Sequence, residues 1–293
     1  MTHELDRLVA RAHALLDRLE AVVPGPPTPV DWKASIAFRW RKRGAQGYLQ
    51  PVTHVHRIAL KDLQGVDRQK ALVEQNTRQF VNGVPANNVL LTGARGTGKS
   101  SLVKAVLNKY APKGLRVIEV EKQDLLDLPE IVDLVSARPE RFILFCDDLS
   151  FEAEEAGYKA LKAVLDGSVA APSENVLVYA TSNRRHLMPE FMQENLEARR
   201  VGDEIHPGET VEEKVSLSER FGLWVSFYPF SQDEYLSIVF HWLEYFQAPI
   251  PNRETVRQEA LQWALQRGSR SGRVAWQFAR DWAGRQRLKR VKR

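Results

Sequence analysis

The eight residues GARGTGKS, Gly93 to Ser100, sit between an apolar run, Asn87–Gly93 (NNVLLTG), and a stretch with helical spacing, KSSLVKAVLNKYA. A buried strand that must enter a helix through so few residues is compatible with few folds, chiefly parallel sheets with helices on both faces. Gly93, Gly96 and Gly98 allow the backbone to curl so that successive N–H groups point inward. The helix starting near Lys99 adds the positive end of its dipole. The stretch matches G-x-x-x-x-G-K-[ST] in full, in the strand-to-helix context that a phosphate-binding loop requires. Gly93, Ala94, Arg95, Gly96, Thr97, Gly98, Lys99, Ser100 and Ser101 are therefore the candidate phosphate cradle. Lys99 is expected to reach the β- and γ-phosphates of ATP, and the Ser100 hydroxyl to take one position on Mg2+.

Three more short apolar runs have the length of buried strands: Gly114–Val120 (GLRVIEV), the run within Arg141–Asp148 (RFILFCDD), and Asn175–Asn183 (NVLVYATSN). With the intervening helical segments they predict an α/β core. The run Arg141–Asp148 ends on two acids. Asp147 is expected to hold Mg2+ through water, and Asp148 to polarise an attacking water. An aspartate is one methylene shorter than a glutamate, so its reach falls by roughly 1.5 Å. That shortening is met either by the position of the backbone or by slow hydrolysis. Asn183 ends the fourth strand, where its amide is expected to orient the water and sense the γ-phosphate.

Outside the core, Leu5, Leu8, Val9, Ala12, Leu15, Leu16, Leu19, Val22 and Val23 recur at steps that predict one amphipathic helix over residues 2–23. Residues 24–56 read as a linker and arm: PGPPTP is stiff and extended, and DWKASIAFRWRKRG interleaves Trp32, Phe38 and Trp40 with Lys33, Arg39, Arg41, Lys42 and Arg43. The preferred reading of the latter is a helix with aromatic residues inward and a solvated basic face; base stacking and phosphate contact is the alternative. His54 and His56 alternate as on one face of a strand, with no third metal ligand nearby. The core is expected over 57–230. The charge-rich insert Glu197–Leu217 reads either as a subunit-contact loop or as a solvated insertion. Residues 231–293 predict a small helical domain, opened by a capping box, Ser231 with Glu234, and with a helix closed by Gly268.

The last nine residues, RQRLKRVKR, hold six basic side chains and no acid, so without them the formal net charge falls from +5 to −1. The pI of 9.3 belongs mainly to this tail, which reads as a solvated helix end or, alternatively, a nucleic-acid contact. No apolar stretch approaches the roughly 20 residues of a membrane span. One cysteine, Cys146, excludes an internal disulfide framework; with a charged start that is no signal peptide, the expectation is a cytoplasmic protein.

The order of phosphate loop, strand-borne acids, strand ending in Asn, SLSERFG and a helical domain resembles the AAA+ ATPase module. The stretches PANNVLLTGARGTGKSSLVKA, FCDDLSFE, GYKALKAVLDGS, YATSNRRHLMPE, EIHP and SLSERFGLWVSFYPF resemble, more narrowly, a bacterial AAA+ family known as domain of unknown function 815 and described as ATP-binding. The resemblance spans roughly residues 30–285 and includes the paired aspartates. It implies that Arg220 acts as a finger on a neighbouring subunit's ATP, and that Arg273, or else Arg270, contacts the γ-phosphate of its own subunit. It also implies that Leu63 and Gly65 lie near the adenine. Paired aspartates occur in replication-initiator and helicase-loader relatives, so it implies slow hydrolysis. A finger donated across an interface implies a homo-oligomer, and the module implies a protein or nucleic-acid partner to be remodelled or loaded. A nucleotide-dependent assembly switch with little hydrolysis is the other reading. A small-molecule kinase or a GTPase fits less well: no guanine-reading N-K-x-D follows the acids.

Overall fold

Strands buried on both faces need mostly apolar residues, and four stretches meet this condition. In the computed structural model, which describes residues 7–14, 30–44, 46–151, 156–166, 173–183, 199–201, 204–206 and 217–291, they form the middle of one sheet. The strands in chain order are β1 (Ala37–Arg43), β2 (Gln46–Pro51), β3 (Val89–Gly93), β4 (Leu115–Glu119), β5 (Arg141–Cys146) and β6 (Val176–Ser182), then β7 (Arg199–Val201), β8 (Glu204–His206) and β9 (Leu223–Phe227). Seven of them make a sheet in the order β2-β1-β4-β5-β6-β3-β9, and β7 pairs with β8 separately. Every pairing in the large sheet is parallel except β1 with β2.

The helices are α1 (residues 7–14), α2 (Asp67–Val81), α3 (Lys99–Tyr110), α4 (Leu128–Ser136), α5 (Ala156–Asp166), α6 (Gln232–Tyr245), α7 (Arg253–Gln266) and α8 (Gly272–Val291). Period-two alternation splits the core between the sheet's two faces. Val89, Leu91, Ile143 and Phe145 join α2, α3 and the C-terminal helices in one cluster. Leu90, Phe142, Leu144 and Cys146 join Leu128, Ile131, Tyr158 and Leu161 in the other. The C-terminal unit is helical as expected. The Ser231 hydroxyl accepts from Glu234 N and the Glu234 carboxylate accepts from Ser231 N, which closes the capping box. Gly268 adopts φ 62 just past α7. Inside, the Tyr235 hydroxyl donates to Ala260 O at 3.0 Å.

Three expectations are corrected. Asp31–Gly44 is not a helix: after a turn it becomes β1, because Phe38 and Trp40 alternate with Arg39 and Arg41 at period two. The sheet therefore takes in residues 37–51, which had been assigned to an arm outside the core. Its cations serve the fold: Arg39 pairs with Glu119 at 2.7 Å, Arg41 with Glu121 at 2.5 Å and Lys42 with Asp127 at 2.7 Å. His54 and His56 lie in the loop after β2, not on a strand. A further strand, β9, lies within GLWVSFYPF, a stretch not assigned to any element from the sequence. Of the predicted helix 2–23 the described part, 7–14, is helical; PGPPTP and most of the insert 197–217 lie outside the described residues.

The hairpin explains one glycine. The Trp40 indole, fixed by donation from Nε1 to Asp127 Oδ2 at 2.8 Å, lies across β2, and a Cβ on Gly47 would fall 1.9 Å from its Cζ2. Gly47→Ala is expected to destabilise the chain by about 1–3 kcal/mol through overpacking. Urea denaturation measures this, and the double variant with Trp40→Leu should recover part of the loss.

Candidate functional site

Strand order builds the site. β6 lies between β3, which carries the glycine loop, and β5, which carries the acids. All three run parallel, so their carboxyl ends deliver Gly93, Asn183 and Asp147 to one edge. The loop glycines adopt left-handed backbones, with φ 118 at Gly93, 73 at Gly96 and 103 at Gly98. Gly93 has a second constraint: a Cβ there would lie 1.9 Å from Phe227 O, at the end of β9. Ala94 N donates to the same carbonyl at 3.2 Å, and Thr97 Oγ1 donates to Ala94 O at 2.8 Å. α3 starts at Lys99 without a side-chain cap, so its first N–H groups face the loop's concave side.

Lys99 Nζ donates to Gly93 O at 2.7 Å, Ala94 O at 2.8 Å and Asn183 Oδ1 at 3.0 Å. Burial lowers its pKa below the ordinary lysine value, with Asp147 and Asp148 opposing the shift and Arg95 adding to it. A partly desolvated cation held this way is poised to gain from a nearby anion.

The acids are held as firmly. Ser100 Oγ and Thr181 Oγ1 both donate to Asp147 Oδ1, each at 2.6 Å. Asp148 N donates to Thr181 Oγ1 at 2.8 Å and Leu149 N to Thr181 O at 2.7 Å. Asn183 Nδ2 donates to Asp148 Oδ1. Asp148 itself has φ 54, a left-handed backbone that Asp and Asn adopt more readily than longer side chains. Here lies a reason for an aspartate in this place: the chain turns through a conformation that favours the shorter acid. Thr181 was missed in the sequence. Its signal was its place on β6 two residues before Asn183, which directly follows the strand.

These groups line a cavity of about 640 Å³ between the sheet edge and the C-terminal helices. The polar part of the lining includes Arg95 to Ser101, Lys104, Asp147, Asp148, Thr181 and Asn183. The apolar part is Ile58, Leu63 and Val66 with Phe230, Ile238, Trp242 and Trp276. Leu63 is thus in the wall, whereas Gly65 stands behind it, where a Cβ would lie 3.1 Å from the Phe230 ring. Arg273 lines the cavity, beside Gly96; Arg270 is exposed and is not in the wall. Arg220 is also outside it. It precedes β9, whose first residue, Leu223, pairs with Val89 at the start of β3. At about 3.3 Å per residue, the length of β3 puts Arg220 roughly 15 Å from its own phosphate loop, at the opposite edge of the sheet. The apolar wall from the C-terminal helices, Trp242 and Trp276 above all, was not read from the sequence, because aromatic residues at helical spacing look like ordinary core.

A family model described as protein of unknown function (DUF815) matches residues 33–286. The chain belongs to this family. DUF815 thus covers the whole site, from the β1–β2 hairpin to α8. No curated protein sequence matches the chain. Among solved structures, it is similar to the Thermotoga maritima RuvB Holliday junction branch migration motor, with 14% identity and a TM-score of 0.48 over 77% of this chain and 64% of that one. It is also similar to the FIGL-1 AAA domain in complex with ADP, with 21% identity and a TM-score of 0.49 over 76% and 72% of the two chains. The chain spans less than two thirds of the length of that RuvB chain. The fold of this DUF815 member is a mostly parallel α/β P-loop sheet flanked by helices, with a helical C-terminal unit, as the AAA+ resemblance implied.

Thr181 joins both acids, so Thr181→Val orphans the Asp148 N–H and removes one donor from Asp147. The expected loss is about 1–3 kcal/mol of stability in urea denaturation. Thr181→Ser, which keeps the hydroxyl, should retain most of it.

Proposed function

We propose that this chain binds ATP with Mg2+ and hydrolyses it slowly as part of a cytoplasmic homo-oligomer that remodels or loads a protein or nucleic-acid partner. The observation that carries the reading is the continuous contact from Lys99 through Asn183 to Asp148, in a cavity lined by both polar and apolar side chains. Triphosphate and base need both kinds of lining. Loop N–H groups, Lys99 and Arg273 would bind the phosphates, while Leu63, Trp242 and Trp276 would enclose the base. Ser100 and Asp147 bring a hydroxyl and a carboxylate oxygen together at 2.6 Å, hard oxygen donors that fit Mg2+. Bound there, the ion would neutralise charge on the phosphates.

The chain's own residues supply the rest. Asp148 would accept the proton of a water attacking the γ-phosphorus, as the bond to the bridging oxygen of ADP breaks and inorganic phosphate leaves. Asn183 already touches both Lys99 and Asp148, which suits it to align that water. Turnover would be slow because Asp148 is short and engaged. Arg220 lies too far from its own loop to help, which supports donation to a neighbour's site. Oligomerisation follows from that donation. No described helix is long and apolar enough to cross a membrane, and burial pushes the Cys146 thiol up to about 12, which makes it unreactive. A nucleic-acid partner finds less support in the β1 cations, three of which are paired within the chain.

Steady-state hydrolysis measured over a range of protein concentrations tests the reading. Turnover per subunit should rise with concentration and fall at least about 100-fold in Lys99→Ala, Asp148→Asn and Arg220→Ala. An equal mixture of Lys99→Ala and Arg220→Ala should regain activity, since each supplies what the other lacks. Full turnover in Arg220→Ala would exclude the donated finger, and tight binding without turnover would favour an assembly switch.

The left-handed Asp148 carries its own expectation. Asp148→Glu should not accelerate hydrolysis, and thermal melting should show it destabilised by about 1 kcal/mol relative to Asp148→Asn.

A further inference from the structure

The cations Arg273, Arg280, Arg285, Arg287, Lys289 and Arg290 all lie on α8, and Asp281 is its single acid. Arg285 takes that acid at 2.7 Å and also pairs with Glu259 on α7 at 3.0 Å. Arg273, Arg280, Arg287 and Lys289 are exposed and form no ion pair among the described residues. Seven residues are close to two helical turns, so Arg273, Arg280 and Arg287 fall on one stripe, about 21 Å long. Ala275, Phe278, Ala279 and Trp282 are buried on the opposite side of the helix.

Aromatic rings edge the stripe. The Arg280 guanidinium lies over the Trp276 ring, 5.2 Å from its centroid. Trp276 is 6.3 Å from Phe246, just past α6, and Phe246 is 5.4 Å from Tyr245, which is 58% exposed. Arg287 Nη2 donates to Phe246 O at 3.0 Å, which ties the far end of the stripe to the same aromatic residues.

Gly284 stands on the stripe between Arg280 and Arg287, in the interior of the helix. Glycine weakens a helix interior. Packing within the subunit does not require it, since a Cβ there would meet no described atom within 4 Å. What an exposed glycine between two cations does permit is the close approach of another chain to the helix backbone.

We propose that α8 binds single-stranded nucleic acid, with phosphates on Arg280 and Arg287, the strand passing over Gly284, and a base against Tyr245. Aligned, unpaired cations neutralise a chain of phosphates, and an exposed ring beside them stacks on bases of any sequence. A duplex offers no free base face to Tyr245. The proposal names the partner of the function above and rests on that reading for its purpose, while the binding itself needs no nucleotide.

Fluorescence anisotropy of a labelled oligothymidylate, titrated with the full chain free of nucleotide at several salt concentrations, tests this. The same strand annealed to oligodeoxyadenylate, and phosphatidylserine vesicles, are titrated in parallel. The single strand should bind best, with an affinity that falls steeply as salt rises. Arg280→Gln should weaken binding at least about 3-fold and make the salt slope shallower by about 0.7. Tyr245→Ala should weaken it at least about 5-fold. Gly284→Gln should raise the melting temperature, because glutamine is the better helix former, and yet weaken strand binding. Lys113→Gln, which removes an exposed cation elsewhere on the surface, should leave the affinity unchanged. Absence of binding, tighter binding to duplex or vesicles, equal losses in Arg280→Gln and Lys113→Gln, or unchanged affinity in Gly284→Gln overturns the proposal. A fluorescent ATP analogue should bind Gly284→Gln as it binds the unaltered chain. If ATP is bound and hydrolysed but the strand is not bound, this inference alone fails. If the strand is bound but ATP is not, the nucleotide reading alone fails.

Discussion

The Lys99 ammonium group joins parts of the chain that are far apart in sequence. It is held by two carbonyls of the glycine loop and by Asn183, 84 residues away. Through Asn183 the contact reaches Asp148, and the adjoining Asp147 returns it to α3 by way of Ser100. Three parallel strands and one helix are thereby closed into a circuit of charge-assisted hydrogen bonds. Such bonds are strong where water is partly excluded, and an unpaired member is costly there. The circuit requires β6 to lie between β3 and β5. An order that put the acid strand directly beside the loop strand would leave Asn183 outside it. The whole site thus depends on one feature of topology, expressed as the reach of one lysine.

The same circuit accounts for the paired aspartates. Thr181 accepts from the Asp148 N–H while donating to Asp147, and so holds the turn that leaves β5. That turn is left-handed at Asp148. Backbone strain of this kind persists where surrounding contacts over-determine it, and here Thr181 and Asn183 both do so. The short acid and the bent backbone are one arrangement. Reach lost with a methylene is regained, or not, by where the turn places the carboxylate, which spacing along the sequence does not specify.

Much of this was legible beforehand. The loop, both acids, Asn183 and four core strands follow from apolar runs that stop at glycine or at polar residues, a pattern that burial on two faces imposes. Arg273, chosen over Arg270, does lie in the cavity wall. The hairpin Ala37–Pro51 was not recognised because its basic residues suggest a solvated helix, while their actual partners, Glu119, Glu121 and Asp127, are some 80 residues distant. Thr181, Trp242 and Trp276 escaped for a related reason: each is an ordinary strand or helix residue until the fold brings another element against it. The unexpected strand β9 has exposed Ser226 between buried Val225 and Phe227, a pattern too short to stand out.

The contact between loop and C-terminal helices links binding to shape. A Cβ on Gly96 would lie 2.8 Å from Ser271 Oγ, and one on Gly272 would lie 3.2 Å from Gly96 O. The start of α8 therefore rests on the loop, with its first residues Gly272 and Arg273 in the cavity wall and Trp276 one turn further along. α8 contributes both a cation, Arg273, and an aromatic ring, Trp276, to this wall. A shift of α8 about the Gly96 contact would move both groups together. A ligand that touched them would therefore be coupled to the position of the helix, and the helix to the ligand. The coupling needs no additional element, because the glycine that lets the loop curl is also the one that lets the helix approach.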